Sequence, residues 1–412
     1  MLLRAARWVA PATVERSTLI AVQQTDSQPD SHSARVLTAE VASAVGLQEG
    51  PEGVAQVLRL LGASGKQTLK ELARSARLPV PVLAAVRHEL EARGVLLREG
   101  GLLLSPLGEE LLRQLGGPWV PAACPTCSGT GTVVPERYHP VLHELERRWA
   151  NRPEVDVRLD QSFALPESNL RRTLFALDRG ALLGRRVLFV GDDDAGSVAV
   201  ALLARELRSE VHVAALDIDA RVLDYLRSTS EGLRVELIEH DVRQPLPDAL
   251  RGRYDTVFTD PPYTLPGLEL FLSRALEATG GVRGSQLFLS FGHRPPGEAV
   301  RLLDTLSRLG LALAELRPAF NRYEGASVLA GTSDLYHLVA TEGAQPSVTG
   351  AQEGGIYSGE LRPRSRVYIC LGCGASYTVG PGKELQTIEA LKAGGCSQCG
   401  ARRFKQNRVA SK

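Results

Sequence analysis

At 412 residues, the chain is long enough for two or three domains and for a full α/β core. Its 43% hydrophobic and 23% charged content is ordinary for a soluble globular protein, and a net charge of +1 gives no global field to steer it onto nucleic acid. No apolar run approaches the ~20 residues of a membrane span, and the start, MLLRAARWVAPATVERS, lacks the sustained apolar segment of a secretory signal. The six cysteines form three C-x-x-C pairs, which points to metal ligation in a reducing cytoplasm and away from a disulfide framework. Basic residues are nearly all Arg and there is a single Met, usage that fits a GC-rich or thermophilic source.

Residues 1–50 are polar and weakly patterned (QQTDSQPDSHS) and read as a loosely ordered extension. Over 51–120, VAQVLRLLG, TLKELARSA and PVPVLAAVRHELEARG predict three helices, and VLLREGG with LLLSPLG predicts a hairpin turning at Gly100-Gly101. That order is a winged helix-turn-helix. Its third helix carries acids beside Arg87 and Arg93, so a packing or dimerisation role outweighs DNA reading. Residues 121–160 form a linker with a CPTC turn, Cys124 to Cys127. His139 and His143 follow at a loose Cys2His2 spacing, and a metal site or a plain tight turn fits equally.

From 161 to 342 strands and helices alternate. A helix, NLRRTLFALDRGAL, precedes the strands RVLFV, VHVAALD, RVELIEHD, YDTVFTD, SQLFLSF, LALAELRP and DLYHLVAT. This predicts an α/β, methyltransferase-like (Rossmann-type) seven-stranded sheet with ligands at the strand C-terminal ends and an antiparallel last strand. A Gly/Ser/Pro-rich linker, 343–365, leads to 366–412, where Cys370-x-x-Cys373 and Cys396-x-x-Cys399 predict a zinc ribbon holding a structural zinc.

The stretch RVLFVGDDDAGS organises the α/β domain. After Gly191, where a nucleotide fold keeps glycines for a phosphate, come Asp192, Asp193 and Asp194. Such a turn repels an anionic group and attracts a cationic one. One helix cap would explain one of these acids but not three. Asp219 after the second strand is placed to receive ribose hydroxyls, and Asp241 after the third to bind an adenine amino group; each could instead cap a helix. At the fourth strand, Asp260-Pro261-Pro262-Tyr263-Thr264 makes a rigid exit that sets the Tyr263 ring beside a flat ligand. Amino-methyltransferases acting on adenine or cytosine use a motif of this form. An S-adenosylmethionine-dependent N-methyltransferase on nucleic acid is therefore one reading, and a nucleic-acid-binding regulator with a disabled catalytic domain is another. The acidic turn favours a different pair of ligands, decarboxylated S-adenosylmethionine, which ends in a cationic aminopropyl group, and a polyamine.

GDDD at 191–194, DIDARVLDYL, TDPPYT at 259–264 and FNRYE at 320–324, with NRP-x-x-D at 151–156 and DQ at 160–161, resemble the branched-chain polyamine synthases over about residues 54–340. The resemblance implies an aminopropyltransferase acting on spermidine and a homodimer; nucleic acid is a possible partner but not a required one. It also implies Asp194 as the catalytic base and Asp260 with Tyr263 at the acceptor amine. A protonated amine has no lone pair, so a carboxylate must take its proton before attack. The expectation is that Asp194 does so while Asp260 and Glu324 anchor the flanking ammonium groups. The terminal zinc ribbon departs from the archaeal members of the family.

Overall fold

The computed structural model describes residues 33–117, 124, 126, 127, 129–324, 331–361, 366–380, 383–385 and 388–406. Of the extension expected over 1–50, residues 1–32 lie outside that set, but Ala34–Val45 is a helix, α1. Ser33 caps it, and Ala34, Leu37, Val41 and Ala42 put an apolar stripe at helical spacing against its neighbours. With α2 (Gly50–Ser64), α3 (Leu69–Ala76), α4 (Val80–Ala92), the antiparallel hairpin β1 (Leu96–Arg98) and β2 (Leu102–Leu104), and α5 (Pro106–Gln114), it encloses a separate N-terminal core.

After α6 (His139–Trp149), the main sheet begins. Its strands are β3 (Phe163–Ala164), β4 (Arg186–Val190), β5 (His212–Asp217), β6 (Val235–Glu239), β7 (Thr256–Thr259), β8 (Gln286–Phe291), β9 (Leu311–Glu324) and β10 (Thr332–Ala340). They lie in the order β3-β9-β10-β8-β7-β4-β5-β6. All seven predicted strands are present, with β10 antiparallel between β8 and β9. The count is eight, because the two residues of β3 pair with Tyr323 and Glu324 at the end of β9. FNRYE, beyond the predicted LALAELRP, continues that strand, so β9 is 14 residues long.

Alternation along β4 sends Val187 and Phe189 to one face and Leu188 and Val190 to the other. The first face packs against α6, α7 (Pro166–Asp178), α8 (Gly196–Glu206) and α9 (Ala220–Thr229). The second packs against α10 (Leu265–Thr279) and α11 (Pro296–Arg308). Through the first layer runs a ladder of parallel rings, Phe189 on Phe258 at 4.8 Å, Phe258 on Phe288 at 4.8 Å and Phe288 on His337 at 4.9 Å. It ties β4, β7, β8 and β10 into one plate, from whose C-terminal edge the acidic turns project.

The segment expected as a free linker, 343–365, is packed as far as it is described. Arg274, fully buried, donates to the carbonyls of Val348 (2.9 Å) and Gly350 (2.7 Å) and pairs with Glu277 at 3.0 Å. Ile356 and Tyr357 join the main core, just before the short helix α12 (Ser358–Leu361). Beyond it, β11 (Arg366–Cys370), β12 (Ser376–Val379), α13 (Ile388–Gly394) and β13 (Phe404–Gln406) form a small unit whose buried apolar core is Tyr368, Val379 and Leu391. Among the described residues no helix is long and apolar enough to cross a membrane.

Candidate active site

The turn after β4 starts with Gly191 at φ 74, and Ala195 also takes a left-handed conformation, φ 56, before α8. Gly196 must be a glycine, since a Cβ there would lie 2.6 Å from the Phe189 ring. Within this sharp turn the three aspartates take different environments. Asp192 is buried and binds the first turn of α8, accepting from Gly196 N at 2.7 Å and Ser197 N at 3.2 Å. It is the helix cap. Asp194 is 4% exposed; one oxygen accepts from Ala164 N of β3, and the other pairs with Arg172 of α7 at 2.7 Å. Asp193, between them, is half-buried and accepts no hydrogen bond from any described residue. Burial drives its carboxyl well above the usual range, and the charges that act most strongly on it are the carboxylates of Asp194, Asp260, Asp217 and Asp192.

Of these acids Asp193, Asp217 and Asp260 border a cleft of ≈ 60 Å³ at the strand C-terminal ends. Gly191 and Asp193 line it from β4, Asp217 and Ile218 from β5, His240 and Val242 after β6, and Asp260 and Pro262 after β7. Phe271 of α10, Gln161 before β3, and Tyr357 complete the wall. Tyr357 is held there by two neighbouring contacts, Ser358 N to Asp160 at 2.7 Å and Glu360 to Arg243 at 2.6 Å. A larger groove at the opposite edge of the sheet, near Arg186, His212 and Arg234, has no such convergence of carboxylates.

Asp260 is half-buried and accepts from the Tyr323 hydroxyl; burial first, then Asp194, raises it to about 7. Tyr263 is close to Asp260, Tyr323 and Ser333, its ring set against Phe291 at 5.3 Å. Burial and Asp260 push both phenols well above their usual range, so each is a proton donor and neither is an anion. Under the acids runs a buried network. Arg172 donates to Ser290 at 3.0 Å, Asn321 donates to Ser290 and Ser333 at 3.0 Å each, and Ser333 meets Tyr323 at 2.9 Å. It connects Asp194 to Asp260 through buried, hydrogen-bonded side chains, with the Asn321 Oδ1 as the one buried network atom left without a partner among the described residues.

Several predicted residues stand elsewhere than expected. Asp219 caps α9, accepting from Arg221 N at 2.9 Å, and its carboxylate is taken by the Arg221 side chain at 2.6 Å and Gln161 at 3.0 Å. The carboxylate of the second strand that borders the cleft is Asp217, two residues earlier. Asp241 accepts from Arg243 N at 2.9 Å in a turn, and its neighbours His240 and Val242 face the cleft in its place. Glu324 is exposed and paired with Arg152, which lies over the Trp149 ring at 3.4 Å. Asp194, expected as the catalytic base, has one oxygen on Ala164 N and the other on the Arg172 guanidinium, and it is its neighbour Asp193 that lines the cleft. Arg172, Asp217 and Tyr357 were given no role from sequence, and Gln161 and Tyr323 entered only as members of the DQ and FNRYE motifs. For Arg172 a signal existed: Asn169, Arg172 and Thr173 place polar groups at helical spacing on a stripe that should be apolar.

Cys370, Cys373, Cys396 and Cys399 converge, their sulfurs all within 4.8 Å of one another, with Cys370–Cys399 at 3.6 Å and Cys373–Cys396 at 3.5 Å. Those separations match the edges of a tetrahedron of thiolates around zinc. Among the described residues this is the one such cluster, so the CPTC turn gathers neither His139 nor His143 into a metal site.

Comparison with known proteins agrees with this geometry. Residues 141–347 match the model of the branched-chain polyamine synthase A C-terminal domain. An uncharacterized protein of Methanocaldococcus jannaschii is 37% identical over 90% of this chain and 92% of its own length. The N(4)-bis(aminopropyl)spermidine synthase of Thermus thermophilus is 36% identical over 69% of this chain and 80% of its own. The crystal structure of the Thermus thermophilus branched-chain polyamine synthase, in complex with N4-aminopropylspermidine and 5′-methylthioadenosine, superposes with a TM-score of 0.65 at 28% identity, covering 80% of this chain and 98% of that one. With a carboxylate cleft at the head of a methyltransferase-like sheet and relatives of this kind along most of its length, the chain belongs to the branched-chain polyamine synthase family.

Proposed function

We propose that the protein is an aminopropyltransferase that moves the aminopropyl group of decarboxylated S-adenosylmethionine onto the central secondary amine of spermidine. The products are N4-aminopropylspermidine, then quaternary N4-bis(aminopropyl)spermidine, with 5′-methylthioadenosine released at each round. The observation that carries this reading is Asp193, a carboxylate without a partner among the described residues and pressed by four others. Such a set is costly unless a polycation completes it, and the carboxylate of S-adenosylmethionine would only add to the repulsion.

In this reading the nucleoside occupies the part of the cleft lined by Asp217, Ile218, Val242 and Tyr357, with Asp217 accepting from ribose. Asp193 takes the proton of the attacking amine, whose freed lone pair attacks the propyl carbon as the carbon–sulfur bond breaks. Asp260, oriented by Tyr323 and Tyr263, holds a neighbouring ammonium. Arg172 and Asp194 act from below by fixing the turn that presents Asp193. The four C-terminal cysteines hold a structural zinc, whose part is to close a unit too small to fold on its own core. The N-terminal helices and hairpin are a winged-helix module with a packing role for α4, a reading supported by the pairing of Arg93 with Glu89 and Arg87 with Glu91; contact with nucleic acid is not required.

The test is a paired assay of the purified protein with spermidine, one reaction with decarboxylated S-adenosylmethionine and one with S-adenosylmethionine, read by mass spectrometry. Methylthioadenosine and branched amines in the first reaction alone are expected. S-adenosylhomocysteine in the second alone would refute the assignment.

A further inference from the structure

The N-terminal module has its own core, yet one of its side chains reaches into the catalytic sheet. Arg77 closes α3 at φ 56, its N–H satisfying the carbonyls of Ala73 and Arg74. Glycine is the residue this position favours, so a large side chain held there is a strained choice that calls for a use. Its guanidinium donates to Asp334 at 2.8 Å and lies 2.9 Å from His293 Nδ1. Asp334 is 2% exposed, and its other oxygen accepts from Ala319 N at 2.7 Å.

That carboxylate sits at a break in the ladder. The pairing of β10 with β9 shifts register between Ser333 and Leu335, and Ala319 across from it has φ 48. Asp334 thus closes a bulge by binding the amide the ladder leaves over. A bulge beside an active site re-aims the side chains next to it. Here the neighbour is Ser333, 1% exposed, which hydrogen-bonds with Tyr323 and accepts from Asn321; Tyr323 in turn donates to Asp260.

We propose that Arg77 is a positioning residue for the acceptor half of the site: through Asp334 it holds the β9–β10 bulge that aims Ser333 and Tyr323 at Asp260. The N-terminal module is then a working part of the transferase. Without Arg77, the buried carboxylate keeps Ala319 N and His293, at 3.5 Å, but loses the guanidinium that neutralises and anchors it, and with that anchor the hold on the bulge. The inference rests on Asp260 facing the acceptor amine, as proposed above.

The experiment uses the full chain with Arg77→Ala, Arg77→Lys, Asp334→Asn, the double variant, and Arg98→Ala as an exposed control on the hairpin. Two readouts are taken: amide hydrogen exchange over residues 319–324 and 331–336, and separate KM values for spermidine and decarboxylated S-adenosylmethionine. Arg77→Ala should speed exchange in those segments and raise the spermidine KM, each by roughly 5- to 30-fold, the factor spanned by one strong contact. The KM for the sulfonium donor should stay within about two-fold, since that substrate does not touch the bulge. Arg77→Lys should recover part of both effects, the double variant should be no worse than Arg77→Ala, and Arg98→Ala should change nothing. Unchanged exchange in Arg77→Ala, or KM values rising together for both substrates, would overturn the proposal. A wild-type protein inactive on both donors would sink the activity reading instead, because exchange reports the Arg77–Asp334 coupling without substrate.

Discussion

Replacing Asp193 by Asn separates function from stability in a way that few site substitutions do. The carboxylate accepts no hydrogen bond among the described residues and sits among four other carboxylates, so the folded protein holds it at a cost. Its folded pKa is raised above the unfolded value of ~3.9, so its contribution to stability is fully present below that value and is lost as pH rises through the folded pKa. Wild type and Asp193→Asn should therefore melt alike at pH 4, and the variant should melt higher at pH 8, with the gap opening between. Activity should move the other way. Loss of the proton acceptor lowers kcat by roughly 10²- to 10⁴-fold.

Asp194→Asn supplies the contrast. That carboxylate is buried, bonded to Arg172 and to Ala164 N, and breaking a buried pair costs about 3–5 kcal/mol. Its melting temperature should fall in parallel with its activity. The assays are methylthioadenosine release for kcat and scanning calorimetry at several pH values. Near-normal turnover in Asp193→Asn would refute the reasoning. So would an Asp194→Asn protein as stable as wild type and fully inactive, which would return the proton to Asp194.

Three further outcomes are expected. Burial and Asp194 raise Asp260 to about 7, and a polycation binds only the ionised form, so the KM for spermidine should fall as pH rises from 6 to 8; a flat profile would remove Asp260 from the acceptor site. Tyr357→Ala should raise the KM for decarboxylated S-adenosylmethionine about 10-fold, the equivalent of about 1.4 kcal/mol, with kcat little changed; an effect on kcat alone would place the ring elsewhere in the cycle. Chelation, or Cys373→Ser, should release one zinc per chain and open residues 366–406 to protease, since three buried side chains are too little core to hold that unit; resistance in the metal-free protein would refute the structural role.

The sheet was legible because its strands are continuous apolar runs between turn residues, and both faces of a central parallel strand are buried, as β4 is. The motif GDDD was legible as chemistry because three acids exceed what one helix cap needs. Which acid does what was not, since adjacent residues in a sharp turn point in unrelated directions, and only folding decides that Asp192 meets α8, Asp194 meets Arg172 and Asp193 lines the cleft with no hydrogen-bond partner among the described residues. The Asp217–Asp219 pair shows the same limit. Both are plausible ends for one strand, and the arbiter is Arg221, whose guanidinium claims Asp219. α1 was overlooked because its stripe is built of Ala, Leu and Val among small polar residues, a weak period that gains its stability from the helices it meets.

The site's remaining members come from segments whose residues had no role readable locally, Gln161 and Tyr323 standing in the motifs DQ and FNRYE without an assigned part and Tyr357 in no motif at all. Gln161 precedes a two-residue strand, Tyr323 ends a long one, and Tyr357 lies in a stretch rich in glycine that reads as a tether. What holds each in place is remote: β3 exists only as a partner for β9, and Tyr357 is delivered by a strap that Arg274 anchors from inside the core. A buried Arg with four carbonyl acceptors has no local signature, because those acceptors, on Val242, Arg243, Val348 and Gly350, are more than 30 residues away in sequence. The division has a physical reason. A turn that must present charge to a substrate is written in consecutive residues, since the backbone itself does the presenting. The groups that neutralise, orient and cover that charge need only converge in space, and the topology of the sheet does that work from any point in the chain.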